Sequence, residues 1–311
     1  MAGSINLENA DQFQYGEWDF RNPMSDLLTL IIGTLTLRPY VFVFLAIYLA
    51  AASRDLGLRR ALAFTGWAWA VAFLAELSST RTGIPFGLYH YTEATRGQEL
   101  FLANAPFMDS LSFTFLAYAS FCLARLCLGR SRGAAVVFLS GLLMMLLDVV
   151  IDPLAVRGDR WFLGQIFYYP EGGVYFGVPL SNFLGWAVVG WVIVGGFSGF
   201  SARADAARRP AAGAALYYGV LAFNLAVTWW IGEPLLLAAG LLLHAAVLLG
   251  LWSLACGRAV ATREIGARDV LTASSGGFAT TRPQGAGARS GGSPSLARAF
   301  RQPGGGVGRG A

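Results

Sequence analysis

Asp148 and Asp152 stand four residues apart in LLMMLLDVVIDP, residues 142 to 153, at the end of a long apolar run. On a helix this spacing turns both carboxyls to one side, about one turn apart. Glu76 sits in a second apolar run. An acidic residue at the centre of a membrane helix costs roughly 2.5 to 3.5 kcal/mol on insertion scales, so such residues are read first as functional. Their chemistry is acid–base. In an apolar, nearly dry site a carboxyl keeps its proton, and a second carboxyl enforces this because two close like charges do not ionise together.

Other chemistries lack their parts. All 23 basic side chains are Arg, so a Schiff-base Lys is excluded, and with it a retinal protein or Lys-based covalent catalysis. There is no G-x-x-x-x-G-K-[ST] phosphate cradle and no G-x-S-x-G elbow. Two His are too few for a di-iron site of the His-box type. Cys122, Cys127 and Cys256 form no C-x-x-C and read as small buried residues. The Asp148/Asp152 pair matches the diphosphate–Mg²⁺ motifs of prenyl transferases in spacing only, without a second Asp-rich segment. Neither a metal nor a nucleotide or redox cofactor is called for.

The elements that must position these acids are membrane helices. Of 311 residues 55% are hydrophobic and 13% charged, about half the charged share of a soluble protein. The expected fold is an all-α polytopic membrane protein with about seven transmembrane helices. Residues 1–23 form a polar N-terminal segment, 24–256 the helical domain, and 257–311 a Gly/Arg/Ser-rich tail too poor in bulky apolar residues to order itself. No cleavable leader is expected, since Glu8, Asp11 and Glu17 stand where a basic n-region belongs. Span one, from Asp26 to Ala52, is interrupted by Arg38 and Pro39. It is either one kinked span or an interfacial segment followed by a short span. The other spans are expected at about 61–79, 107–128, 133–152, 179–200, 211–231 and 235–256.

Arg-rich loops follow spans one, three, five and seven, which places them and the tail in the cytoplasm and the N-terminus outside, in a cell (inner) membrane. The loops at 80–106 and 153–178, rich in aromatic residues, then lie on the non-cytoplasmic side. The net charge of +5 comes largely from the tail. Beside a membrane such charge reports topology or attraction to anionic lipid, so no nucleic-acid partner is expected.

Counting inward from the Arg anchors shows a polar layer. Glu76 is 16 residues after Arg60, Asp148 is 16 after Arg132, and Asn224 is 15 after Arg209. At 1.5 Å per residue they sit about 22 to 24 Å above the anchors, near the outer edge of a core about 30 Å thick. Asp109 and Asn182, three residues after Pro106 and Pro179, reach the same level from the other end, and His244 lies a little deeper. The inner halves of these spans are nearly bare. Plainer readings stand beside this one. Asp109 and Asn182 suit any first helical turn, Asn224 can be interhelical glue, and His244 can be a packing residue.

There is also an internal echo. Glu76 precedes Pro106 by 30 residues, and Asp148 precedes Pro179 by 31. Each interval holds an aromatic Gly segment, GIPFGLYHY at 83 to 91 and GGVYFGVP at 172 to 179. PFMDSLSF and PLSNFLGW open the helices that follow. This reads as two helix–loop–helix hairpins facing one cavity. Phe86, Tyr89, Tyr91, Tyr175 and Trp186 are either an interfacial belt or the lining of an apolar ligand site.

Glu76, GIPFGLYHY, the Pro106 segment, DVVIDP and VYFGVPLSNFLGW, in this order, resemble the membrane carotenoid biosynthesis protein family over about residues 38 to 256. Characterised members are carotenoid 1,2-hydratases acting on lycopene, γ-carotene or bacterioruberin precursors. The resemblance implies a carotenoid and water as partners, and addition of water across the terminal double bond of an acyclic end group to give a tertiary alcohol.

The residues here can be given roles for that reaction. Asp148 is the expected general acid, Asp152 sets its proton affinity or reprotonates it, and Glu76 positions or deprotonates water. Tyr89, Tyr91, Tyr175 and Trp186, with Phe86, line the end-group pocket. Asn182 holds water, and Asp109 lies among the binding residues. The rivals are a proton-coupled transporter, which should carry polar groups through both halves of the membrane, a non-catalytic carotenoid-binding protein, and a cyclase or prenyltransferase. A cyclase would use the same protonation and take up no water.

Overall fold

The computed structural model describes residues 23–129, 133–200 and 210–253. The polar segment up to residue 22 and the tail from 257 lie outside the described residues. Among the described residues eight helices run in order: α1 Pro23–Leu37, α2 Pro39–Asp55, α3 Leu58–Thr82, α4 Phe107–Leu128, α5 Ala134–Ala155, α6 Leu180–Phe200, α7 Ala211–Trp230 and α8 Pro234–Ser253. Six of them are long and apolar enough to cross a membrane, and α1 with α2, bent by 87° at their junction, make a seventh when the pair is counted as one span. The chain is an all-α polytopic membrane protein, as its composition predicts.

The bend lies where the sequence breaks. Pro39 has no N–H to give and disfavours helical backbone at the residue before it. Arg38 accordingly leaves the helix, at φ −129° and ψ 49°. The angle fits the second sequence reading, a separate segment followed by a short span, since the 17 residues of α2 rise about 25 Å. Helix α1 packs on the loop after α3. Thr34 Oγ1 accepts a hydrogen bond from the Leu100 amide at 2.9 Å. A Cβ on Gly33 would fall 1.8 Å from the Gln98 carbonyl oxygen, so only Gly allows this approach.

Helix α4 is the hub, with 78% of its spanning window buried against 17% for α8. It packs on α2, α3, α5, α6 and α7. Helices α5 and α6 meet through small residues, as membrane helices do when their backbones come close. A Cβ on Gly190 would lie 2.9 Å from the Gly141 Cα. This contact helps fix the rotation of α5, and with it the direction of its two Asp. At the far end the sequence reading saw a nearly bare half, yet Arg125 on α4 is buried there and bonds Asp55 at 2.5 Å.

The two hairpins, α3–α4 and α5–α6, share a local fold. Before α4, strands β2 (Phe101–Leu102) and β3 (Ala105–Pro106) pair, with Leu102 opposite Ala105. Before α6, Tyr175 bridges to Val178 in the same antiparallel sense, 73 residues on. Ala103 and Phe176, at the same place in the two turns, both take positive φ, 54° and 51°, which is unusual for residues other than Gly. The two loops are also joined to each other. Strand β1 (His90–Tyr91) pairs antiparallel with β4 (Phe167–Tyr168).

Candidate functional site

The loop-side ends of the helices line a cavity of about 140 Å³. Helix α5 brings its acids there by running past Pro153 to Ala155, so Asp152 lies inside a helix rather than at its end. Asp152 lines the cavity, whereas Asp148, one turn below, is fully buried behind it. Asn182, in the first turn of α6, ties the two together. Its Nδ2 donates to Asp148 Oδ2 at 2.6 Å and to Asp152 Oδ2 at 2.8 Å. The Tyr169 hydroxyl reaches Asp152 Oδ2 at 3.3 Å, and the Trp186 ring N–H is directed at the same carboxyl.

The α3–α4 hairpin supplies the opposite wall. Glu76 on α3 is buried and accepts a hydrogen bond from the Ser110 hydroxyl on α4. The interval from Glu76 to Ser110 is 34 residues, the same as from Asp148 to Asn182. The Tyr91 hydroxyl interacts with both Glu76 and Asp109. Burial first, and the charge of Glu76 second, hold the Tyr89 and Tyr91 hydroxyls protonated well above the usual phenol range. Tyr169 is held protonated in the same way, by burial and then Asp152. These phenols are therefore donors at any ordinary pH.

Asp109 is anchored from outside the hairpins. Arg38, at the bend between α1 and α2, donates from Nη1 to Asp109 Oδ1 at 2.9 Å and from Nη2 to Glu99 Oε1 at 2.6 Å. Thr95 donates to the same Glu99 oxygen at 2.5 Å. Two acids flank one guanidinium, which suits the burial of Arg38 and Glu99.

Aromatic faces fill the space between the walls. Trp186 stacks on Phe113 at 4.1 Å, and Phe86 lies 6.1 Å from Trp186. Tyr89 packs edge-on against Tyr91 and Phe167.

Of the residues singled out in the sequence, Glu76, Phe86, Tyr89, Tyr91, Asp109, Asp152, Asn182 and Trp186 line this cavity. Tyr175 does not; it packs on Phe176 and Phe183. Asn224 also lines the cavity, while His244 is buried elsewhere and bonds the Gly240 carbonyl. The sequence reading missed Ser110, for which the repeated interval of 34 residues was a signal; it took Arg38 only as a break in an apolar run and Tyr169 only as one of the aromatic residues of the second loop.

The arrangement has the parts for proton traffic in a dry space: a linked carboxyl pair, a carboxyl with hydroxyl partners opposite, and aromatic faces able to lie against a cation.

Residues 28–249 match the family model described as carotenoid biosynthesis protein. The chain is similar to bisanhydrobacterioruberin hydratase from Haloarcula japonica, 33% identical over 181 residues. That stretch is 54% of this chain and 58% of the relative, so little more than half of the relative's length is matched. No solved structure matches the chain. With most of its helical region inside the family match, the chain belongs to the carotenoid biosynthesis protein family.

Proposed function

We propose that this protein hydrates the terminal (1,2) double bond of an acyclic carotenoid end group. One observation carries the reading: a single cavity sets Asp152, linked to Asp148 through Asn182, across from Glu76, with aromatic rings between. The family membership and the activity named for the Haloarcula relative support it.

Two carboxyls tied to one amide hold a proton between them. Asp152 faces the cavity, so it makes the transfer, and Asp148 behind it restores the proton. This reassigns the donor that the sequence alone placed at Asp148. The proton goes to the CH carbon of the terminal double bond, whose π electrons form the new C–H bond. The neighbouring carbon is left as a tertiary cation, against which the faces of Trp186 and Phe86 lie. Water adds to that carbon while Glu76, held by Ser110 and Tyr91, takes its proton. The product is a tertiary alcohol. The proton on Glu76 returns to the Asp pair before the next turnover, so the net change is addition of one water. No step uses a metal or a redox cofactor.

The membrane is proposed to be the cell (inner) membrane. The positive-inside rule puts the Arg54, Arg59 and Arg60 end in the cytoplasm and the cavity toward the other face. The test is to express the protein in lycopene-producing cells in labelled water. A tertiary alcohol carrying the label is expected. Label from O₂ would replace hydration by oxygenation, and an end-group ring without added water would make the protein a cyclase.

A further inference from the structure

A cavity of about 140 Å³ is well below the roughly 300 to 1,000 Å³ of pockets that enclose a drug-sized ligand. A long polyene therefore places only its end group inside, and the rest of the chain lies outside the cavity. The acids and amide that carry the chemistry, Glu76, Asp109, Asp152 and Asn182, come from α3, α4, α5 and α6. Apart from Arg38 at the α1–α2 bend and Asn224 on α7, the wall away from them is aromatic and aliphatic, made by Tyr40 and Phe44 of α2, Phe115 of α4, and Val220 and Phe223 of α7.

Tyr40, Phe44 and Phe223 line the cavity and yet are only half-buried, so here the wall is one side chain thick. Tyr40 stacks on Phe223 at 5.2 Å and 19°, and Phe44 meets Phe223 edge-on at 5.6 Å. Phe162, 52% exposed, closes over Tyr40 at 5.7 Å. Seams elsewhere are pinned by hydrogen bonds: Trp67 Nε1 to the Ile193 carbonyl at 3.0 Å between α3 and α6, and the Tyr217 hydroxyl to the Leu143 carbonyl at 2.9 Å between α7 and α5. Between α2 and α7 the cavity wall is made of rings in contact. Ring contacts separate and re-form by side-chain rotation alone, and they welcome a flat conjugated chain.

Resting on the hydration reading above, we propose that the α2–α7 seam is the lateral portal through which the polyene enters from the bilayer. Tyr40 and Phe223 act as its shutter, and the conjugated chain lies between them while the end group reacts.

The experiment places photoreactive benzoylphenylalanine, one site at a time, at Phe223, at Phe44, and at Leu74 and Leu242. The last two lie on α3 and α8 and are 62% and 72% exposed. Full-length protein is irradiated in membranes containing lycopene, and protein–lycopene adducts are measured by mass. At least about tenfold more adduct is expected at Phe223 or Phe44 than at Leu74 or Leu242, because a bound chain is held at a high effective concentration. The second seam position guards against a misfolded Phe223 variant. Equal yields at all four sites overturn the portal. Alcohol formation by the unlabelled protein, with adduct favoured at Leu74 or Leu242, overturns the portal and leaves hydration standing. Absence of both adduct and alcohol overturns both readings.

Discussion

The two hairpins make one framework carry unlike chemistry. Both have the same antiparallel turn, the same positive-φ residue and a Pro before the second helix. Both bind an acid of the first helix to a polar side chain 34 residues on. They differ in what surrounds the acid. In α5–α6 a second carboxyl follows one turn later, and an amide clasps both. In α3–α4 the residue one turn after Glu76 is Thr80, whose hydroxyl turns back to the Glu76 carbonyl, so Glu76 has hydroxyl partners and no second carboxyl on its own helix, while Asp109 on α4 is reached only through Tyr91 and is paired with Arg38. A pair suits holding and giving a proton; a single acid among hydroxyls suits water and the taking of one. The duplicated frame sets where the groups stand, and a few side chains decide which wall gives and which receives.

Substitutions on the two walls can break this contrast. Asp152→Asn should cost most, about 10³-fold in alcohol formation from lycopene, near the middle of the range for loss of a general acid. A loss below about tenfold would remove Asp152 as the donor. Glu76→Gln should lower the rate about 10²-fold, since an amide still holds water but takes no proton. A rate equal to that of the unaltered protein would place the base elsewhere. Ser110→Ala removes one hydrogen bond to a charged group, worth about 1.5 to 3 kcal/mol, and should slow turnover about 10- to 100-fold while lycopene binding is kept. If binding is lost as well, the hydroxyl is structural. Tyr175→Phe, outside the cavity, should leave the rate within about twofold and stability within about 0.5 kcal/mol. A large loss there would extend the site beyond the walls described.

Much of this was legible before any coordinates. The spans follow from apolar runs between Arg anchors; the counts from those anchors brought Glu76, Asp148 and Asn224 to one level, and the spacing from Pro106 and Pro179 brought Asp109 and Asn182 to it from the other end. Other features were hidden for physical reasons. Which Asp of α5 faces the cavity depends on helix rotation, and that depends on a backbone contact between Gly141 and Gly190 that spacing does not reveal. Arg38 looked like the fault in an apolar run because its partners, Glu99 and Asp109, are 61 and 71 residues away. Tyr169 was one aromatic residue among many until the β1–β4 ladder set the loop that carries it. Asp55 and Arg125 are 70 residues apart, and only the close packing of α2 on α4 makes them a buried pair.

Arg38 also bears on how the protein is assembled. The chain is made from its N-terminus, so α1 and α2 exist before Glu99 and Asp109 have been synthesised. During that interval the guanidinium has neither of its carboxylates, and at the middle of a bilayer it would cost roughly 2.5 to 3.5 kcal/mol. The nascent first segment is thus better held at the membrane surface than threaded through it. The 87° bend can be fixed only when the α3–α4 hairpin arrives with both acids. Helices α1 and α2 are in this sense secured only after the hairpin that follows them, and their side of the cavity closes over a bundle that already has that hairpin.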